Sequence, residues 1–315
     1  MIENTKQKID AKPFVKWAGG KKQLLNEIKN YYPFTKNVDK YCEPFVGAGA
    51  VLFDILNNYD LKKIYISDIN TELINTYKII QTNVESLILE LGELQDTYVR
   101  SSMEVRKKIF YDKRTLFNKL KQSSGDEVTR ASLFIFLNKT GFNGLYRENS
   151  SGEFNVPIGS YKNPKILDER NLKIVNMKLK NVIIKNESYE ECISFVDPKT
   201  FVYFDPPYRP LSSSSKFTSY NKSNFNDMDQ INLANFYKKL DAKGAYLLLS
   251  NSDPKNSNEN DDFFDELYRD FDIKRVKASR YINSNKNLRG QINELLISNK
   301  GVIGNERFQQ LVFDI

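Results

Sequence analysis

Short apolar runs alternate with amphipathic stretches along this chain, and the period of each predicts its conformation. "YCEPFVGAGAVLFDIL" (41–56) reads as a short strand, a glycine turn and a helix carrying Val51, Leu52 and Ile55 on one face. "KKIYISD" (62–68) is a strand that ends on an acid. "NTELINTYKII" (70–80) opens with a capping signature, Asn70 or Thr71 followed by Glu72, and continues as a helix. "GGKKQLLNEIKNYY" (19–32) sets Leu24, Leu25, Ile28 and Tyr32 at helical spacing. Later, "NVIIKNESY" (181–189), "TFVYFD" (200–205), "GAYLLLSNS" (244–252), "FDIKRVKA" (271–278) and "INELLISN" (292–299) read as strands, with helices over 228–240 and 261–270. Two polar stretches, 212–224 and 251–260, read as mobile loops.

Alternating strands and helices predict an α/β fold with a mostly parallel, doubly wound sheet. The rhythm breaks in the middle. Residues 81 to about 140 carry long helical patterns rich in Lys, Arg and Glu, followed by "LNKTGFNGLYRENSSGEFNVPIGSYKNPKI" (137–166), dense in Gly, Asn and Ser with interleaved aromatic and basic residues. Asp205 lies 137 residues after Asp68, whereas an ordinary crossover needs about a dozen or slightly more. The expected organisation is therefore a sheet domain from 1–74 and 171–315, interrupted by a mostly helical inserted domain over 75–170.

Composition narrows the chemistry. The 315 residues suit one large domain or two ordinary ones, and 40% hydrophobic with 28% charged residues describes a folded, soluble protein. There is no run of 18 apolar residues, and the start, "MIENTKQKIDAK", is polar rather than a signal peptide. Cys42 and Cys192 give neither a disulfide framework nor a CxxC pair, so a reducing, cytoplasmic setting is expected. A net charge of +7 leans towards a polyanionic partner, although an ordinary lysine-rich surface gives the same sum. The absence of histidine says more. It removes Ser-His-Asp and Cys-His catalysis and, with two cysteines, the usual zinc sites, and no metal is expected. The remaining agents are carboxylates, backbone groups, lysine, tyrosine or a bound cofactor.

Two turns carry the candidate chemistry. In "EPFVGAGAVL", Gly47 and Gly49 follow a strand and precede a helix, where glycine allows a sharp turn and close approach of a ligand. Leu52 stands where the dinucleotide fingerprint has its third glycine, which weakens a nicotinamide reading. Asp68, 21 residues after Gly47 at the tip of the next strand, can accept both hydroxyls of a ribose. A structural turn with no ligand remains open. In "FVYFDPPYRPL" (201–211), a buried-strand pattern stops at an acid, two prolines and a tyrosine. Pro206 and Pro207 cannot continue a central ladder but stiffen the loop, so that Asp205, its neighbouring carbonyls and the Tyr208 face are held in one arrangement.

The combination of a glycine turn, an acid-tipped strand and an Asp-Pro-Pro-Tyr loop resembles the amino-methylating DNA methyltransferases that use S-adenosylmethionine. The order of cofactor motif, long insert and DPPY is that of the α class of DNA adenine N6-methyltransferases, the Dam- and DpnM-like group. "PFVKWAGGKKQLL" (13–25), "EPFVGAG" (43–49), "SDIN" (67–70), "FNGLYR" (142–147), "FNVPIGSYK" (154–162) and "YFDPPYRPLS" (203–212) resemble its blocks, so the likeness spans about 13 to 299. It implies a Rossmann-like methyltransferase sheet, an inserted target-recognition domain, S-adenosylmethionine as cofactor, and double-stranded DNA as partner, with methylation of the adenine of GATC. It assigns Trp17, Lys21, Gly47, Gly49 and Asp68 to the cofactor, with Asp205 shared between cofactor and base; Phe45 is expected to line the same pocket, with Glu43 near the methionine ammonium. Read without the likeness, the lone Trp17 is more often a core residue and Lys21 more often a surface one. A cognate restriction endonuclease and a solitary role are both compatible with it.

The proposed chemistry suits these residues. The exocyclic amine of adenine is a poor nucleophile, and two acceptors gripping its N–H bonds, Asp205 and the Pro206 carbonyl, act most strongly in a dry site as the nitrogen becomes positive. Tyr208 offers a face on which a flipped base stacks. In the insert, an arginine can grip guanine O6 and N7, an asparagine can pair base edges, and an apolar side chain can fill the gap left by a flipped base. The resemblance puts Phe142 in that gap and Asn143 opposite the orphaned base, has Leu145, Arg147 and Pro157 read the site, and brings Lys16 to the outer guanine. A plain Gly-rich surface loop is the competing description. The basic stretch 278–291, with Arg280, Lys286 and Arg289, is a candidate phosphate contact. Cytosine N4 methylation, often with Ser in place of Asp205, an NAD-dependent oxidoreductase and a non-catalytic DNA-binding module are the alternatives.

Overall fold

The computed structural model describes residues 10–17, 19–34, 37–123, 125–209, 225–279 and 291–302. Among the described residues there are seven strands: β1 Lys40–Glu43, β2 Lys63–Ser67, β3 Val182–Lys185, β4 Thr200–Phe204, β5 Tyr246–Ser252, β6 Asp272–Ser279 and β7 Gln291–Ser298. They form one sheet of order β3-β2-β1-β4-β5-β7-β6. β1 runs parallel to β2 and to β4, and β4 parallel to β5, while β7 is antiparallel to both β5 and β6. All five residues of β4 are buried, which is why it reads as a continuous apolar run rather than an alternating one. The strand order reverses between β1 and β4, whose ends are in register through Cys42 and Val202. Open α/β sheets bind ligands beyond the carboxyl ends of strands at such a switch point. Asp205 follows β4 there, and Glu43 is the last residue of β1.

The helices are α1 Leu25–Ile28, α2 Ala50–Asn58, α3 Thr71–Thr82, α4 Val84–Arg100, α5 Met103–Ser123, α6 Glu127–Thr140, α7 Glu169–Leu179, α8 Asp227–Ala242 and α9 Phe263–Leu267. The chain divides into two compact units, one of Met1–Gly20, Gly47–Asp60 and Asn70–Ile184, the other of Lys21–Val46, Leu61–Ile69 and Lys185–Ile315. In the first, α6 is buried along nearly its whole length, since "ASLFIFL" leaves it no polar face. Phe136 meets Tyr98 of α4, and Phe134 meets Phe117 of α5. The second unit is built on Val202, Phe204, Leu247 and Leu249 of the sheet packed with Leu233, Tyr237 and Leu240 of α8. Each such large side chain, fully buried, contributes about 1.5–3 kcal/mol. None of the helices among the described residues is long and apolar enough to cross a membrane.

Local differences from the sequence reading have physical causes. The helix expected over 19–32 is only the single turn α1, flanked by 3₁₀ turns at Lys21–Gln23 and Lys29–Tyr31. Pro33 forces Tyr32 into an extended conformation (ψ 114°) and ends it. Asn70 caps α3 by accepting from the Leu73 N–H at 2.9 Å. Glu72 closes no capping box; it turns inward to Arg130 at 3.2 Å, and burial pushes its carboxyl up against the pull of that guanidinium. The helix expected over 261–270 starts at Phe263, whose N–H is taken by the Asp261 side chain. The supposed mobile loop 251–260 is pinned instead: Asn251 and Ser252 belong to β5, Asp253 is buried, and Asn256 donates to the Asn293 carbonyl at 2.7 Å. The stretch 212–224 and the basic residues Arg280, Lys286 and Arg289 lie outside the described residues.

Candidate functional site

The tip of β4 is held from several sides. Lys21, only 4% exposed, places its ammonium 2.6 Å from Asp205 Oδ1 and 4.6 Å from the centre of the Tyr208 ring. The reading of Lys21 as a surface lysine therefore fails. Ser250 on β5 donates to the same Asp205 oxygen at 3.3 Å and shares a 2.8 Å hydrogen bond with the Tyr203 hydroxyl. Burial raises the Asp205 carboxyl above the ordinary carboxylate value, and Lys21 and Ser250 oppose that rise. Gln230, buried on α8, donates to the Pro207 carbonyl at 3.1 Å. The Tyr208 hydroxyl donates to Glu294 of β7 at 2.6 Å, and burial together with Asp205 and Glu294 lifts its phenol far above the usual range. Arg209 closes the series with a bidentate pair to Asp227 (2.7 and 3.0 Å) and a 2.7 Å bond to Asp261. Among the described residues, no donor bonds Asp205 Oδ2 or the Pro206 carbonyl, two oxygens of neighbouring residues at the strand tip.

The other strand tips of this unit carry their own acids. Glu43, ending β1, is buried and accepts from the Tyr41 hydroxyl at 2.8 Å, which pushes the phenol up further than burial alone does. Asp68 follows β2; its carbonyl accepts from Asn186 at 2.9 Å, and its side chain is half-buried. Phe45 stacks on Tyr189 (5.3 Å, 26°) and meets Phe225 edge-on.

In the first unit, the glycine bend is shaped by aromatic side chains. Gly47 has φ +49° and Gly49 φ +73°, the left-handed region that glycine enters without a steric cost. A Cβ on Gly47 would lie 3.0 Å from the Trp17 indole, and one on Gly49 2.6 Å from the Tyr77 hydroxyl, which itself donates to the Gly47 carbonyl at 3.1 Å. Both glycines thus make room for the protein's own rings. Trp17 in turn stacks on Tyr146 (6.1 Å, 21°) and leans on Phe134.

Residues 141–158 form a hairpin-like turn. Isolated antiparallel bridges join Gly141 to Ile158 and Glu148 to Phe154, and the Phe142 N–H donates to the Pro157 carbonyl at 2.9 Å. Phe142 is 50% exposed, and Asn143 sits at φ +53°, the one described non-glycine residue with positive φ. Asn143 and Pro157 are exposed and Leu145 half-buried. Arg147 is exposed, with its Nε bonded to Asn155 Oδ1 at 2.7 Å. Lys16 joins this turn. Its backbone N–H and carbonyl both bond the buried Asn138 side chain at 2.8 Å, and its ammonium lies 4.0 Å over the Tyr161 ring. The six residues assigned to DNA by resemblance are therefore gathered on one turn and the strand of chain beside it.

Residues 17–282 match the family described as D12 class N6 adenine-specific DNA methyltransferase. The chain belongs to this family. It is 52% identical to the type II methyltransferase M.MjaIII of Methanocaldococcus jannaschii over 295 residues, covering 92% of this chain and all of the relative. It is 39% identical to the type II methyltransferase M1.LlaDCHI of Lactococcus lactis subsp. cremoris, covering 94% and 98% of the two chains. With the DNA adenine methylase of Escherichia coli K12 it shares 36% identity, over 90% of this chain and 93% of that one. The methyltransferase thus acts on adenine in DNA and requires a methyl donor. The expected α/β fold, with its mostly parallel sheet, is the one observed.

Several residues that shape these turns escaped the sequence reading. Gln230 lies on the same helical face as Leu233, Ala234, Tyr237 and Leu240, and a polar residue on a buried face was the available signal. Glu294 interrupts the apolar run of β7 in the same way. Ser250, Tyr77 and Asn138 gave none, because their partners are set by tertiary structure.

Proposed function

We propose that this methyltransferase transfers a methyl group from S-adenosylmethionine to N6 of a flipped-out adenine in double-stranded DNA, in the site GATC. The observation that carries the proposal is the pair of acceptors, Asp205 Oδ2 and the Pro206 carbonyl, that bond no donor among the described residues, beside the engaged Asp205 Oδ1 and Pro207 carbonyl. An exocyclic amine has two N–H bonds, and two fixed acceptors suit it. Pro206 and Pro207 fix the backbone, Gln230 holds the Pro207 carbonyl, and Glu294 holds the ring of Tyr208 as a stacking face. As N6 becomes positive, the preorganised acceptors gain strength most. One N6 proton must leave, and burial makes the Asp205 carboxylate a better acceptor for it than an exposed one.

The residues suit the cofactor by chemistry. Asp68 supplies a carboxylate for the ribose diol, Lys21 a cation for the methionine carboxylate, Glu43 an acid for the ammonium, and Trp17 and Phe45 apolar faces, with the Gly47–Gly49 bend in left-handed backbone. When bound, the cofactor supplies an electrophilic methyl group on sulfur. On the DNA side, Phe142 fills the gap, Asn143 meets the orphaned base, and Lys16, Leu145, Arg147 and Pro157 read the site. Residues 75–170 form the recognition region. We place the enzyme in the cytoplasm. The type II names of two relatives favour a restriction-modification setting with a cognate endonuclease.

The test is single-molecule sequencing of DNA from cells expressing the protein, with mass analysis of its nucleosides. N6-methyladenine confined to GATC is the expected result. Methylation in another context overturns the specificity, and N4-methylcytosine overturns the base.

A further inference from the structure

Tyr146 belongs to the turn that carries Leu145 and Arg147, yet its ring does not face outward. It stacks on Trp17, whose indole fills the space beside Gly47. Its hydroxyl donates to Glu148, which Lys121 of α5 also grips, and Lys121 reaches the Tyr146 hydroxyl at 3.2 Å and the Gly152 carbonyl at 2.9 Å. A second connection runs alongside. Asn138, buried at the end of α6, bonds both backbone groups of Lys16 and the Gly144 carbonyl, each at 2.8 Å. A Cβ on Gly144 would lie 2.5 Å from the Lys16 side chain, so the turn and the segment before Trp17 are packed without slack. The chain that reads DNA and the ring beside the glycine bend therefore form one packed body.

We propose that Tyr146 is a positioning residue that couples the two ligands of this enzyme: occupancy of the 142–157 turn by DNA sets the Trp17 indole for the cofactor, and cofactor binding in return sets the turn. This inference rests on the functional reading above. Linkage makes the effect reciprocal, so it is measurable from either ligand. The stack transmits it because the phenol ring cannot move without carrying its neighbour or losing the contact, and the Glu148–Lys121 pair resists independent rotation of the ring. Neither Glu148 nor Tyr146 needs to touch a reacting atom.

Trp17 is the sole tryptophan of the chain and so reports on itself by fluorescence. A non-reactive analogue of S-adenosylmethionine is titrated calorimetrically into the full-length protein, with and without a short duplex carrying one GATC site, for the wild type, Tyr146→Phe and Tyr146→Leu. The duplex is expected to tighten cofactor binding at least about fivefold in the wild type, by a smaller factor in Tyr146→Phe, which keeps the stack but loses the Glu148 bond, and less than about twofold in Tyr146→Leu. The duplex alone should shift Trp17 emission in the first two and not in the third. Wild-type coupling retained in Tyr146→Leu overturns the proposal, as does a wild type that binds both ligands with no coupling. If Tyr146→Leu does not fold, the wild-type emission decides, and no shift on adding duplex contradicts the proposal. A wild type that binds neither ligand fails the functional reading itself and this inference with it.

Discussion

Two proline- and glycine-marked turns in this methyltransferase are built on opposite plans. At the tip of β4, residues 205–209 are fixed through their side chains: Asp205 by Lys21 and Ser250, Tyr208 by Glu294, Arg209 by Asp227 and Asp261. In the 141–158 turn the backbone is fixed, by Asn138, by the Phe142–Pro157 bond and by two antiparallel bridges, while Phe142, Asn143, Arg147 and Pro157 stay exposed. Under the proposed function, the difference follows from the part assigned to each turn. Groups that act on a developing charge need desolvation and a fixed direction, whereas groups that read base edges must reach outward from a rigid support.

The contrast can be tested by removing one partner at a time. Asp205→Ala should have the largest effect, lowering the single-turnover rate of methyl transfer by about 10²–10³-fold or more, since it deletes a preorganised acceptor. DNA affinity, measured by anisotropy, should hardly change, and a rate close to wild type would remove the tip from the chemistry. Arg147→Ala should leave that rate on GATC largely intact but lose about 1–3 kcal/mol of discrimination at one guanine, read from competition between GATC and singly altered duplexes. Uniform weakening across all duplexes would make Arg147 a backbone contact instead. Glu294→Ala should cost about tenfold in rate, one charge-assisted hydrogen bond to the Tyr208 hydroxyl, with Glu294→Gln recovering part of it. Equal losses in both variants would point to packing rather than ring orientation.

The smallest expected effect is a shift in pH dependence. Burial raises the Asp205 carboxyl and Lys21 lowers it. Lys21→Met leaves burial opposed by the Ser250 hydrogen bond alone, so the carboxylate protonates at higher pH and the acid limb of the rate profile should move upward. The limb reports the carboxyl and not the amount of cofactor bound when cofactor is saturating. An acid limb in the wild-type position would separate Lys21 from Asp205 functionally despite their 2.6 Å contact.

Much of this was legible in the chain. The central strands read correctly because runs such as "TFVYF" are continuously apolar, and Asp68 and Asp205 fall directly after β2 and β4, whereas β1 ends at Glu43, before the Gly47 bend, and β3 ends at Lys185, short of the expected 189. What escaped were partners joined only by folding. Nothing local in Ser250 or Asn138 says which oxygen it will meet. The glycine bend was read as room for a ligand or a plain turn, and the two rings its missing Cβ atoms also make room for, Trp17 and Tyr77, had no local signal. Helix lengths near 19–32 and 261–270 were overread because periodicity ignores Pro33 and the side-chain bonds of Asp261.

The central claim is that the β4 tip presents two oxygens to one amine. A crystal structure of the protein with a GATC duplex and a non-reactive analogue of S-adenosylmethionine tests it most directly. Adenine N6 is expected within hydrogen-bond reach, about 2.6–3.2 Å, of both an Asp205 carboxylate oxygen and the Pro206 carbonyl. An adenine left stacked in the duplex, or one held with its amine away from those two oxygens, would contradict it.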